Sequence, residues 1–189
     1  MIGGLDQRIA QPLGQAANTG APRGWKSLGS YRYQGVASFA VTALPVWANF
    51  IRIEFCVNMS AGGAVPYLAL FDNTRTLRLG ASDYGFSMLW YDASLTGNVI
   101  NSSFSSYALT AQGLATTWYA NYRIMLGGLR DSVHQWSAPF QMAGVENGAN
   151  VFFTIGHAWK TFISITPGFQ IYANSGVFTD FWLTLEGSR

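Results

Sequence analysis

Two-residue alternation is strictest from Phe50 to Met59. There Ile51, Ile53, Phe55 and Val57 fall on one face, while Arg52, Glu54, Cys56 and Asn58 fall on the other. Successive strand side chains point to opposite faces, so this pattern predicts a half-buried β-strand with one core face and one wetter face. Pro66 to Phe71 reads as a second strand ended by Asp72-Asn73, and Thr76 to Leu79 as a third, with Asn73-Thr-Arg as the turn between them. Further strands are expected at Phe86–Tyr91, Ser106–Thr110, Thr117–Leu126, His134–Met142 and Val151–Ile155. Near the C-terminus the alternating sets are Ile163 with Ile165, Phe169 with Ile171, and Phe181 with Leu183 and Leu185. Asn174-Ser175-Gly176 turns the chain between the last two. Gly127-Gly128 and Glu146-Asn-Gly148 are the sharpest turn signals, because glycine tolerates the positive φ that tight hairpins demand. No segment carries a capped apolar stripe of period 3.6, so helix should stay under about 15%. About nine to eleven strands in one domain imply an all-β fold, a single jelly-roll-like antiparallel β-sandwich.

Residues 1–24 have a different texture. Pro12, Gly14, Gly20, Pro22 and Gly24 break any longer helix, and large apolar groups are few. This stretch is expected to be an extended N-terminal arm, an assembly anchor using Leu5, Arg8, Ile9 and Leu13, with residues 25–189 forming the sandwich. The first eight residues lack a basic region followed by an apolar core, so no secretory signal is expected. The longest suspect for a membrane span, Tyr33 to Ile51, is charge-free but interrupted by Gln34, Ser38, Thr42, Pro45 and Asn49, which argues against membrane insertion. There is no internal repeat of fixed period.

Composition narrows the function. The chain of 189 residues has a net charge of +2, with 49% hydrophobic, 15% aromatic and only 11% charged residues. Average soluble domains carry about 25% charged residues, so much of this surface is uncharged, which suits an assembly subunit. Lys26 and Lys160 are the only lysines, and with nine scattered arginines they make no phosphate footprint, so no nucleic-acid partner is expected. Cys56 is the single cysteine, excluding an intrachain disulfide and any Cys-only zinc site.

Acid–base chemistry needs titratable groups gathered in one cleft. Asp131 and His134 are the one close acid–imidazole pairing, and residues three apart on a strand face opposite sides. His157 lies beside Gly156 in an aromatic segment and is expected to be a hydrogen-bonded structural histidine. Gly-x-Ser-x-Gly is absent, and Asp72, Asn73 and Asp83 lack the regular acidic alternation of a calcium loop. Neither catalytic residues, nor a metal, nor a cofactor are expected.

The positive signal is aromatic. Seven tryptophans and nine tyrosines exceed what a core of this size requires. Trp90-Tyr91 and Trp118-Tyr119 are adjacent pairs, so on a strand one member of each must leave the core. Trp182 lies opposite the Phe181, Leu183, Leu185 face. Exposed aromatics serve both protein interfaces and sugar stacking, which makes Trp90, Tyr91, Trp118, Tyr119 and Trp182 candidate contacts for a glycan or a partner.

Four segments carry a family resemblance: Leu44-Pro-Val-Trp-Ala-Asn-Phe-Ile-Arg-Ile53, Trp118-Tyr-Ala-Asn-Tyr-Arg-Ile124, Trp159-Lys-Thr-Phe-Ile-Ser-Ile165, and Phe169-Gln-Ile-Tyr-Ala-Asn-Ser-Gly-Val-Phe178 followed by Phe181-Trp-Leu-Thr-Leu-Glu-Gly187. In this order, from about Phe39 to Gly187, the chain resembles the small β-sandwich modules of bacteriophage virion proteins, especially tail fibres. It departs from them at Glu186, where the family usually carries tyrosine. The resemblance implies a non-enzymatic structural or host-attachment role in the virion and no catalytic residue. A tail fibre or tail-tip subunit is the leading expectation, assembled as a homotrimer with other virion proteins and contacting a host-surface glycan. Alternatives are a capsid decoration or head-fibre subunit, and a carbohydrate-binding or carbohydrate-active module.

Overall fold

The computed structural model describes residues 24–91, 96–104, 107–108, 114, 116, 119–131, 137–145, 151–162 and 164–189. Among these the chain is all-β and has no helix. The described residues form twelve strands: β1 Lys26–Tyr33, β2 Ser38–Val41, β3 Phe50–Met59, β4 Pro66–Phe71, β5 Tyr84–Tyr91, β6 Thr96–Phe104, β7 Tyr107–Ala108, β8 Ala120–Leu126, β9 Ser137–Val145, β10 Val151–Lys160, β11 Gly168–Ala173 and β12 Phe178–Ser188. They form two antiparallel sheets. The larger runs β1-β12-β3-β8-β9-β10-β5-β6 and the smaller β2-β11-β4-β7.

One core joins the sheets. Inward residues of β3 (Ile51, Ile53, Phe55, Val57) and β12 (Phe181, Leu183, Leu185) meet Phe39 of β2, Leu68 and Leu70 of β4, and Phe169 and Ile171 of β11, all buried. The ring of Phe39 lies 5.5 Å from that of Phe181 across the layers, and Tyr31 and Tyr33 of β1 close over Phe39 at 5.2 and 5.6 Å. The buried hydroxyl of Tyr84 ties β5 to β4, accepting from the Leu70 amide and donating to the Arg78 carbonyl. Gly168 opens β11 for a steric reason: a β-carbon there would sit 2.0 Å from the Val41 carbonyl oxygen.

β12 contains the irregularity on which the outer surface depends. Phe178 pairs with Met59 and Asp180 with Asn58, so Thr179 is an extra residue, a β-bulge. Without it, Phe178 and Phe181, three positions apart, would face opposite sides. The bulge puts both phenylalanines in the core and aims Asp180 outward with Trp182, Thr184 and Glu186.

Several expected strands shift. Thr76–Leu79 is not a strand; Leu77 makes only an isolated bridge to Phe71. The reason is local. The Asp72 carboxylate accepts from the Thr74 and Thr76 amides, and Arg75 takes a left-handed φ of 62°, so the backbone coils instead of extending. Ile165 also lies outside any strand, and Ile163 outside the described residues. β5 and β10 are longer than their patterns indicated, and β1, β2 and β6 are additional. The segment expected to form an extended arm, residues 1–24 with Leu5, Arg8, Ile9 and Leu13, lies outside the described residues except for Gly24, and His134 lies outside them too.

Candidate functional site

The outer face of the larger sheet is laid out in rungs by its register. One rung runs Arg32, Trp182, Cys56, Asn121 across β1, β12, β3 and β8. The next runs Thr184, Glu54, Arg123, Gln141 across β12, β3, β8 and β9. Both consist of the alternate residues that burial leaves outside, and the wetter face expected from Arg52, Glu54, Cys56 and Asn58 is this one.

Asp180 organises one end. Its carboxylate, only 7% of the residue exposed, accepts from Trp182 Nε1 at 3.0 Å, Tyr119 Oη at 3.0 Å, and the Arg32 guanidinium at 3.3 and 3.4 Å. Burial pushes the Asp180 carboxyl upward, but the hydrogen bonds from Arg32, Tyr119 and Trp182 outweigh it and hold the group below its ordinary range. The same bond holds the Tyr119 hydroxyl above its usual value. The Arg32 guanidinium lies 4.8 Å from the Trp182 ring centroid, and the Tyr119 ring 6.5 Å away. Trp182 is thus held by three neighbours while 48% exposed.

The rest of the face is ion-paired across strands. Arg52 meets Glu186 at 2.9 Å and lies over the Trp25 ring at 4.4 Å, and Arg123 meets Glu54 at 2.7 Å. Between Trp182 and Gln141 lies a shallow groove of about 400 Å³ with Cys56 on its floor. Burial, and secondarily the Asp180 charge, push the Cys56 thiol up, so it stays protonated and is a poor nucleophile.

Of the residues singled out in the sequence, the structure brings Tyr119 and Trp182 together. Trp118 lies outside the described residues. Trp90 pairs with Thr154 and Gly97, and Tyr91 with Phe153 and Thr96, on β5, five strands from β12 in the sheet order. They belong to a different part of the sheet. Sequence reasoning missed Arg32, Asp180 and Asn121. The spacing Asp180-x-Trp182 was the available signal for Asp180, since residues two apart on a strand share a face.

Among the described residues no group of three His, Cys, Asp or Glu side chains is placed to hold a metal ion, and no helix is long and apolar enough to cross a membrane. His157 is exposed, with its ring 6.0 Å from that of Trp159.

The clamp predicts a modest energetic effect with a large local one. Asp180→Ala should cost about 1 kcal/mol, because its three donors are free to regain water. Urea unfolding checks the stability, and red-shifted, broadened tryptophan emission would report the release of Trp182. Because the folded carboxyl titrates below its unfolded value, its contribution is present above the ordinary carboxylate pKa and is lost as pH falls through the lowered one. Asp180→Asn should remove that acid-side dependence.

No family model, no curated protein and no solved structure matches the chain.

Proposed function

We propose that this chain is a non-enzymatic structural subunit of a bacteriophage particle, at the tail fibre or tail tip, that assembles with itself and contacts the host surface. The fold reading beneath this is a jelly roll. The strand sets β1-β12-β3-β8 and β2-β11-β4-β7 have the order of a long antiparallel hairpin rolled into two layers: first beside last in one sheet, second beside penultimate in the other. On this reading β5-β6 and β9-β10 are insertions that widen one sheet. Jelly rolls recur in viral coat proteins and lectins, which fits the family resemblance of the sequence but by analogy only.

The observation that carries the attachment role is Trp182. A large aromatic left half in water, yet fixed by an indole hydrogen bond, a guanidinium and a tyrosine, is arranged to be contacted. Exposed Trp25, Val46, Phe50 and Met125 support assembly, since large apolar groups in water are typical of surfaces that neighbours cover.

Native mass spectrometry of the full chain should find a closed oligomer, with a trimer expected first. Purified phage particles should carry the chain at one fixed position when labelled with a specific antibody, and deletion of residues 1–22 should abolish that labelling. A chain that stays monomeric at about 100 μM, far above ordinary subunit affinities, and is absent from particles would overturn the proposal.

A further inference from the structure

The groove beside Trp182 has a definite chemistry, and we infer that it binds an uncharged oligosaccharide, one pyranose ring stacked on Trp182 and its neighbour's hydroxyls read by Asn121, Gln141 and the Glu54–Arg123 pair. This supplies the ligand class for the attachment role proposed above and rests on that role for its biological purpose, though not for its geometry.

The stacking platform comes first. On the β1 side of Trp182 stands Arg32, and on the β3 side its rung partner is only Cys56. The short thiol leaves the indole open toward the groove that Trp182 helps to line. The apolar face of a sugar ring suits a fixed indole, because immobilising an aromatic that is already held costs little further side-chain entropy.

The polar groups come second. Asn121 and Gln141 each offer both a donor and an acceptor, matching hydroxyl groups that do the same. Glu54 and Arg123 are already joined at 2.7 Å, so they present spare lone pairs and N–H groups with no net charge between them. A ligand bearing a formal charge would meet the like and the opposite charge of that pair together and gain little net attraction from it. From Trp182 on β12 to Gln141 on β9 is three strand spacings, about 14 Å, enough for a short oligosaccharide.

A peptide fits less well. Extended peptides gain affinity by adding to a sheet edge, and this groove crosses interior strands whose backbone groups are already paired. A second copy is disfavoured as occupant because Glu54, Asn121, Arg123, Gln141 and Thr184 line the groove and Trp182 is its one large exposed apolar group.

The test uses the full chain and neutral trisaccharides of glucose, galactose, mannose and N-acetylglucosamine at about 10 mM, a concentration that reveals even millimolar affinity. Amide and indole NMR shifts are the readout. At least one sugar should shift the Trp182 Nε1–H together with the Asn121 and Gln141 side-chain amides. Trp182→Ala should weaken that binding at least about tenfold, the scale of one lost stacking contact. Cys56→Phe fills the groove floor, leaves the clamp in place and should block binding with the fold intact by the same spectrum. Absence of shifts with every sugar, shifts confined to other surfaces, or a uronate oligosaccharide binding tighter than its neutral counterpart would each overturn the inference. Particle labelling and oligomeric state are read separately, so the groove and the assembly role can fail independently.

Discussion

Phe181→Ala should destabilise the folded chain by about 3–5 kcal/mol, the range for emptying a fully buried phenylalanine site. Phe181 has no exposed surface and touches Phe178, Phe39 and Phe55 at ring separations of 5.2, 5.5 and 5.7 Å. Phe39 belongs to the smaller sheet and Phe55 to the larger, so the cavity would open between the layers, where strands tied by backbone ladders cannot easily collapse into it. That loss is a large fraction of the 5–15 kcal/mol typical of whole domains. Urea unfolding should show a lowered midpoint with an unchanged slope. A loss under about 1 kcal/mol would mean that the sheets do not share this core.

The second large effect lies at Lys160, the last residue of β10, which has no exposed surface. Its ammonium donates to the Ser164 carbonyl and, at 3.4 Å, to the Asp131 carbonyl, and it lies 5.3 Å from the Phe162 ring centroid. Arg78 lies over the same ring at 5.1 Å. Burial drives the Lys160 pKa down to about 8, against an opposing pull from the Asp131 charge. Lys160→Ala should cost about 2–4 kcal/mol, through lost packing and two carbonyls left without this donor.

The pH dependence identifies the cause. Below about 8 both folded and unfolded states hold the proton, and the folded state carries the burden of a buried charge. Between there and the ordinary lysine value near 10.5 the folded state releases its proton first, so stability should rise with pH. Above about 10 the rise should reverse, because burial holds the hydroxyls of Tyr84 and Tyr122 above their ordinary range and the unfolded chain ionises first. Lys160→Met should flatten the rise from 8 to 10. Denaturant midpoints at half-unit pH steps measure it.

Alternation made the centre of the larger sheet legible. β3 and β4 have the bounds that their patterns indicated, and the inward and outward sets of β3 and β12 are those the spacing assigned. Such strands are written plainly because one face is core and the other water. β1 was harder to see, since its sequence, Lys-Ser-Leu-Gly-Ser-Tyr-Arg-Tyr, lies at a sheet edge with one buried side chain and a bulge at Leu28. β2 has only four residues. Thr76–Leu79 misled because alternation cannot register the Asp72 carboxylate capturing nearby amides.

The site was legible by half. Trp182 and Tyr119 were marked by aromatic adjacency and parity, both local properties. Their partner Asp180 sits one step out of phase with Phe178 because of the bulge, and Arg32 comes from a strand that pairs with β12 across almost the whole chain. Neither fact is local. Long-range pairing of first and last strands leaves no mark in a window of ten residues.

That pairing is also where a single experiment bears hardest. β1 and β2 are separated by only Gln34 to Ala37, a length that ordinarily closes a hairpin, yet they enter different sheets. In a NOESY spectrum of the full chain, cross-strand contacts are expected between Tyr31 and Leu183 and between Phe39 and Ile171. A continuous ladder of contacts joining β1 to β2 in their place would contradict the nested two-sheet order and, with it, the placing of Arg32 beside Trp182.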